Sequence, residues 1–224
     1  MNALAIDSAS RTMAIAAKKG DAVVTVILDA AMKQSEKLLP IIDWVLSQLD
    51  LTVANLDYAA LCKGPGTFTG LRLAFSALKA LQLSHNIPLY AVPSLDVYAY
   101  PFFDIDGAVV SVIDAKKDQF FASIYRNGIC CMPPADTKIE AVAEQLNTEE
   151  SILVVGANAD TFAEILRSFA PTLDVRCPKA HPAPTNALFA LAEAMIEKKE
   201  PPLADYDGPA YLRKSEAEIA LKQN

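Results

Sequence analysis

The sequence predicts an α/β protein made of two similar lobes, each with the element order β-β-β-α-β-α. Short apolar runs bounded by turn residues predict the strands, and longer runs with apolar residues at helical spacing predict the helices. This order occurs in the first half of the 224-residue chain and again in the second half. We expect an N-terminal lobe over 1–100 and a C-terminal lobe over 101–224. The last helical segment of the second lobe is expected to pack back on the first.

The elements follow from local patterns in chain order. Gly20 and the pair Asn127-Gly128 mark hairpin turns, and Pro40 is compatible with a helix only near its first turn. A polar helical tail is expected after the Tyr211-Leu212-Arg213 run. The predicted strands span 3–7, 13–18, 22–28, 58–62, 87–92, 108–113, 119–125, 129–132 and 152–155. The predicted helices span 35–49, 68–85, 139–146, 160–169 and 185–198.

An aspartate ends the first strand of each half, Asp7 in one and Asp114 in the other. Two such units with an Asp at this position are typical of the actin/hexokinase/Hsp70-like (ASKHA) fold, in which the following turns contact nucleotide phosphates. Asp7, Ser8, Ser10 and Asp114 are therefore candidate nucleotide contacts. Neither turn contains the glycine that a close backbone approach to phosphate usually requires, so a plain polar hairpin turn is the favoured alternative.

A glycine segment, residues 63–72, lies between a predicted strand and a predicted helix. Gly64, Pro65, Gly66 and Gly70 restrict its backbone to a tight conformation. The spacing matches neither the P-loop nor the dinucleotide fingerprint. We interpret these residues as shaping the backbone, with phosphate binding as the alternative, and we expect Thr67 to cap the following helix.

Composition argues against several classes of function. The formal net charge of −7 disfavours direct contact with a phosphate backbone. The four cysteines lack a C-x-x-C spacing. We interpret the two histidines, His85 and His181, as each lacking a second metal ligand at helical spacing. We therefore expect no metal, no cofactor and no catalytic residue. Without a charged segment followed by an apolar run at the start, and without a membrane-length apolar run, we expect a cytoplasmic protein.

The two long predicted helices of the first half are apolar on more than one face. One face is expected to pack on the sheet and the other to meet a partner protein. The alternative is that other parts of the same domain cover both faces. The residues expected at the partner interface are Leu38, Ile41, Trp44, Val45, Leu71, Phe75 and Leu78.

Several segments together resemble the TsaB (YeaZ) family, the accessory subunits of the bacterial machinery that makes threonylcarbamoyladenosine at position 37 of tRNA. The resemblance covers nearly the whole chain and is firmest in the first 125 residues. Family members often have a single histidine where this chain has Gln34, and Leu38 follows four residues later. The metal-binding His-x-x-x-His pair of the catalytic relative TsaD therefore has no counterpart here. The matching segments are 4–10, 35–41, 63–72, 114–116 and 209–213.

The resemblance implies a scaffold subunit without chemistry of its own. It implies binding to TsaD, or homodimer formation, through the first two helices, a further partner in the ATPase TsaE, and only indirect contact with tRNA. Two enzyme hypotheses stay open beside it. One is a small-molecule kinase or ATPase that uses Asp7 and Asp114, and the other is a glycoprotease-like metallopeptidase.

Overall fold

The computed structural model describes residues 1–29 and 33–213. These residues form two compact units. The first consists of Met1–Val97 with Pro182–Pro209, and the second of Tyr98–His181 with the described residues that follow Pro209. The change of unit after Val97 lies close to the expected division at residue 100, and the segment 182–209 joins the first unit.

The predicted helices and strands occur in the predicted order, and one short helix and one short strand are added to them. The strands are β1 (Asn2–Asp7), β2 (Thr12–Lys19), β3 (Ala22–Asp29), β4 (Tyr58–Gly64), β5 (Leu89–Pro93), β6 (Ala108–Lys116), β7 (Gln119–Arg126), β8 (Ile129–Thr137), β9 (Ser151–Gly156) and β10 (Asp174–Arg176). The α-helices are α1 (Gln34–Ser47), α2 (Phe68–His85), α3 (Ser94–Ala99), α4 (Ile139–Ala143), α5 (Ala159–Phe169) and α6 (Pro184–Glu197).

The first unit is built on a five-stranded sheet in the order β3-β2-β1-β4-β5. Strands β1, β2 and β3 pair antiparallel, while β4 and β5 continue the sheet parallel to β1. Parallel neighbours cannot be joined by a hairpin and need a crossover. Helix α1 carries the chain from β3 across the sheet to β4, which lies beside β1, and α2 makes the crossover from β4 to its neighbour β5.

Both faces of this sheet are covered, so its central strands are apolar on both sides. Leu4 and Ile6 of β1 belong to the core that α1 and α2 form with the sheet. Successive strand residues point to opposite faces, which places the equally buried Ala3 and Ala5 on the other face. Helix α6 packs against β1, β4 and β5. The small alanine side chains allow this helix to approach the sheet closely.

Glu193 of α6 ties this helix to the sheet. Its Oε1 accepts a hydrogen bond from Lys18 Nζ at 2.6 Å and another from the Tyr58 hydroxyl at 2.9 Å. Burial by itself raises the pKa of Glu193, but the two hydrogen bonds and the charge of Lys18 outweigh it, so the pKa is lowered from its ordinary value. The ionised carboxylate is therefore the form that the folded unit favours.

The second unit repeats the arrangement with the sheet order β10-β9-β6-β7-β8. Strands β6, β7 and β8 pair antiparallel, and β9 and β10 continue parallel to β6. Helices α4 and α5 cover the sheet with an apolar core in which Phe162 and Leu166 are fully buried. None of the helices in the described part of the chain has the length and apolar content that crossing a bilayer requires.

The structure departs from the sequence prediction in a few elements. Helix α3 and strand β10 were not predicted, because both are too short to show a period. Strand β8 continues past Pro133 and Pro134 to Thr137, which is possible because β8 is an edge strand and a proline there breaks no interior hydrogen bond. The predicted polar tail after Arg213 lies outside the described residues.

Candidate functional site

The glycine segment lies directly against the turn between β1 and β2. The backbone N–H of Thr67 donates to the carbonyl oxygen of Ala9 at 2.7 Å. In return, the hydroxyl of Ser8 donates to the carbonyl oxygen of Gly70 at 2.8 Å. Thr67 does precede the first residue of α2, but its hydroxyl makes no capping hydrogen bond within the helix. The turn and the start of α2 are thus joined by one backbone–backbone hydrogen bond and one from a side chain to the backbone.

Glycine is required at this contact for steric reasons. A Cβ atom on Gly70 would lie 1.9 Å from the carbonyl oxygen of Ser8, and one on Gly66 would lie 2.5 Å from that of Ala9. The Gly64-Pro65 peptide is cis, and φ of its glycine is 116°, a value that residues with a Cβ rarely adopt. The three glycines therefore allow the segment to sit on the turn.

The polar groups of the β1–β2 turn are engaged within the chain. Asp7, Ser8 and Ser10 are at most 8% exposed. Asp7 Oδ1 accepts the N–H of Ala9 at 2.9 Å, and the Ser10 hydroxyl donates to the carbonyl oxygen of Thr12 at 3.1 Å. A phosphate group would need free donors at this turn. The three residues proposed from sequence as nucleotide contacts are therefore buried and hydrogen-bonded within the chain, with Ser10 beside an open pocket, and nucleotide contact stays a prediction.

Gln34 fixes the amino-terminal end of α1 to the same turn. Its buried amide donates to the carbonyl oxygens of Ser10 at 3.3 Å and Arg11 at 3.1 Å. An open pocket of about 490 Å³ lies beside it, with Thr67 and Leu73 of the α2 region on its other side. The Gln34 amide therefore binds backbone carbonyl oxygens at the position where members of the resembled family often have a histidine.

The corresponding turn of the second unit joins β6 to β7. The N–H and the Nζ of Lys116 donate to the two carboxylate oxygens of Asp114, both at 2.7 Å. Burial by itself raises the pKa of Asp114, but these bonds outweigh it and the pKa is lowered. A pocket of about 570 Å³ beside the turn is lined by three lysines, Lys116, Lys117 and Lys138, and by three acidic residues, Asp114, Asp118 and Glu140. Asp114 is thus an ionised group held by its own turn, in surroundings of mixed charge.

Burial changes the assignment of the residues expected at a partner interface. Five of the seven belong to the hydrophobic core of the first unit and hold α1 and α2 to the sheet, so their side chains offer no surface to a partner. Helical spacing reveals an apolar face but does not tell which apolar face meets the sheet. The five are Leu38, Val45, Leu71, Phe75 and Leu78, none more than 5% exposed.

The other two predicted interface residues, together with their neighbours, leave apolar surface on the outer side of these helices. Trp44 is 50% exposed, and Ile41 is only partly buried. Leu39 of α1 and Leu83 of α2 are 58% and 78% exposed. Large exposed apolar side chains are candidates for contact with another protein. The interface stays a prediction, and the exposed residues are the ones able to form it.

Arg213 is a site residue whose role the sequence did not predict. Its Nε and Nη2 donate to the two carboxylate oxygens of Asp136 at 2.6 and 2.8 Å, and its Nη1 donates to the carbonyl oxygen of Ala115 at 2.7 Å. The planar guanidinium matches a carboxylate in two places. It thereby anchors the 209–213 segment to the hairpin that carries Asp114. The sequence offered one indication of this role, because Arg213 ends the 209–213 segment that resembles the TsaB family.

A family model and a related protein both match most of the chain. The family described as "TsaD: tRNA N6-adenosine threonylcarbamoyltransferase" matches residues 26–221 of the chain. A Bacillus subtilis protein named "tRNA threonylcarbamoyladenosine biosynthesis protein TsaB" is 27% identical over 228 aligned residues, which cover 97% of this chain and 96% of that protein. The similarity therefore extends through both units.

Solved structures share the fold. YeaZ from Pseudomonas aeruginosa matches with a TM-score of 0.75 at 21% identity, over 94% of this chain and 99% of that one. A Bacteroides thetaiotaomicron protein with an actin-like ATPase fold matches with a TM-score of 0.51 at 12% identity, over 84% and 95% of the two chains. The predicted ASKHA-type α/β fold is confirmed. Because the family match spans most of its length, the chain belongs to the tRNA N6-adenosine threonylcarbamoyltransferase family, in its TsaB (YeaZ) branch.

Proposed function

We propose that this protein is a non-catalytic scaffold subunit for the N6-threonylcarbamoylation of adenosine 37 in tRNA, acting in the cytoplasm. The names of its TsaB relatives support the pathway. One observation supports the scaffold role above all others. The polar side chains of the β1–β2 turn are buried and hydrogen-bonded within the chain, while Trp44, Leu39 and Leu83 leave apolar surface on the two adjoining helices.

The proposed partner on this surface is TsaD, with a second copy of this chain as the competing occupant. TsaE is proposed to join through another surface, and tRNA to be held by the partners. The net charge of −7 supports this division, because the chain itself repels a phosphate backbone. An apolar helix face, by contrast, suits a protein partner that covers it.

The contribution of Trp44 follows from its exposed area. A tryptophan buries roughly 200 Å² in a full contact, and Trp44 has about half of its surface left to bury. At about 25 cal/mol per Å², this corresponds to about 2.5 kcal/mol. Trp44→Ala is therefore expected to weaken partner binding by roughly 70-fold, and Trp44→Glu to weaken it further because a carboxylate would lose its water.

The test is complex formation with the cognate TsaD, measured as mass by native mass spectrometry. Ile129→Glu is the matched control, because Ile129 is 70% exposed and lies on β8 of the second unit. We expect the control to assemble as the wild type does and Trp44→Glu to stay free at the same concentration. Normal assembly of Trp44→Glu with an unchanged melting temperature would refute the interface.

A second candidate function is a small-molecule kinase or ATPase. The observation that favours it is the pocket beside Asp114, where three lysines, Lys116, Lys117 and Lys138, could contact a phosphate among acidic neighbours. Calorimetry of the isolated chain with ATP and Mg²⁺ separates the two functions. Tight binding that Lys138→Glu weakens would support the kinase, whereas the scaffold proposal expects no tight binding.

A further inference from the structure

Three side chains with metal-binding chemistry meet at the amino-terminal end of α5 in the second unit. Asp160 is the second residue of this helix, Cys177 directly follows β10, and His181 lies four residues further on. One ligand atom of each residue lies within 4.8 Å of those of the other two. We propose that Asp160, Cys177 and His181 form a binding site for Zn²⁺ or a similar divalent transition metal.

The chemistry of the three ligands favours a borderline-soft metal. One carboxylate oxygen, one thiolate sulfur and one imidazole nitrogen form a mixed set that Zn²⁺ accepts and that Mg²⁺ or Ca²⁺, which prefer oxygen, does not. The carboxylate and the thiolate together balance two positive charges, and the imidazole binds neutral. Coordination replaces the S–H bond of Cys177 with a metal–sulfur bond, and the proton leaves to solvent.

The distances require only a small adjustment. Metal–ligand bonds of about 2.0–2.3 Å in a tetrahedron place the ligand atoms roughly 3.4–3.8 Å apart. Cys177 Sγ and Asp160 Oδ1 already lie 3.2 Å apart, and the widest separation in the group has to close by about 1 Å. The exposed side chains of Asp160 and His181 can rotate by that amount. With three protein ligands, a fourth position stays open to water.

The backbone around the ligands is held in place by the fold. Helix α5 is anchored by the fully buried Phe162, and β10 pairs in parallel with β9. Arg167 of α5 donates from Nε to the carbonyl oxygen of Val175 at 3.1 Å, which links the helix to β10 two residues before Cys177. Two of the ligands therefore extend from elements whose mutual position is fixed.

The third ligand lies on a short segment whose backbone is restricted. Pro178 follows Cys177 directly, and Pro182 follows His181. Each proline fixes its own φ and restricts the residue before it to extended backbone. Less conformational freedom is therefore lost when a metal holds the segment. A bound metal would join residues 177–181 to the first turn of α5, just before the chain returns to the first unit at Pro182.

The expectation that His181 has no second ligand one helical turn away was wrong. Cys177 precedes it by four residues. The segment between them is not helical, and Asp160 joins only through the fold. The usual Cys-x-x-Cys and His-x-x-x-His spacings therefore do not reveal the site.

The probe for the site is Co²⁺, added to the reduced, metal-free full-length chain. A thiolate bound to Co²⁺ gives a near-ultraviolet charge-transfer band, and strong visible bands report tetrahedral coordination. We expect one equivalent of Co²⁺ to produce both, and Zn²⁺ to bleach both. Cys177→Ser is expected to abolish the charge-transfer band, and His181→Asn and Asp160→Asn to weaken Co²⁺ binding at least tenfold.

The controls use the other exposed thiols and the other histidine. Cys130 and Cys131 are exposed on β8, and His85 ends α2, so Cys130→Ser with Cys131→Ser, and separately His85→Asn, should keep the wild-type spectrum. The proposal is overturned if the wild type gives no charge-transfer band, if the site variants bind Co²⁺ as tightly as the wild type, or if the cysteine control removes the band. The readout needs no partner protein, so either result leaves the scaffold proposal standing.

Discussion

For Gly70→Ala, helix propensity and tertiary contacts predict opposite changes in the free energy of unfolding. Gly70 is the third residue of α2, and alanine in a helix contributes about 1 kcal/mol more stability than glycine. The new Cβ would lie 1.9 Å from the carbonyl oxygen of Ser8 and 2.7 Å from Thr67 Oγ1. Both distances are shorter than van der Waals contact, so the β1–β2 turn and the start of α2 must separate.

Two effects lower the free energy of unfolding of the Gly70→Ala protein. Overpacking of a tight contact costs about 2 kcal/mol, and loss of the buried hydrogen bond from Ser8 to the Gly70 carbonyl oxygen costs about 1–2 kcal/mol more. After the gain in helix propensity of about 1 kcal/mol is subtracted, we expect Gly70→Ala to lower the free energy of unfolding by about 2–3 kcal/mol.

The assay is urea unfolding followed by the fluorescence of Trp44, the single tryptophan of the chain and a residue of the first unit. With a slope of about 2 kcal/mol per M, the midpoint should fall by about 1–1.5 M without a change in slope. Gly208→Ala is the control, because nothing lies within 4 Å of its added Cβ. A Gly70→Ala protein as stable as the wild type would refute the close approach of the glycine segment to the turn.

Three further predictions test other contacts. Burial raises the pKa of the Cys62 thiol well above its ordinary value. A thiol reagent should therefore label the exposed Cys130-Cys131 pair rapidly and Cys62 only after denaturation. Rapid labelling of Cys62 in the native protein would contradict its burial. The lowered pKa of Glu193 stabilises the fold above pH 4.5, its ordinary value, and this contribution is lost as pH falls through the lower folded-state pKa. Urea midpoints between pH 7 and 3 should therefore fall more steeply for the wild type than for Glu193→Gln, and equal slopes would argue against the ionised contact. Arg213→Lys keeps the charge but loses the two-point contact with Asp136. Amide hydrogen exchange in β8 should therefore speed up by about tenfold, which corresponds to a loss of about 1.4 kcal/mol in local stability. Unchanged exchange would show that the contact adds no stability.

The element order was predictable because it depends on local periodicity. The strands from β1 to β9 and the longer helices each show apolar spacing that is long enough to recognise. Helix α3 and strand β10 have too few residues to show a period. The end of β8 was missed because two prolines argue against a strand, and only its place at the edge of the sheet makes them acceptable.

The candidate site was harder to predict, because burial and proximity depend on the whole fold. Leu71 and Trp44 both lie on apolar helix faces, yet one is fully buried and the other is half exposed. Asp7 and Ser8 have the residue types of a phosphate-binding turn, but the glycine segment covers them from more than 50 residues further along the chain. Asp160 and His181 are likewise brought together only by packing of α5 and β10.

The two repeated units, the positions of their turns and the family of the chain were predictable from the order of residues alone. These features depend on residue spacing and on short segments, which are readable without coordinates. The packed fold was needed to show which side of each helix stays exposed and why positions 66 and 70 require glycine. Both depend on which surfaces come within contact distance, and the Ser8 and Ala9 carbonyl oxygens leave no space there for a side chain.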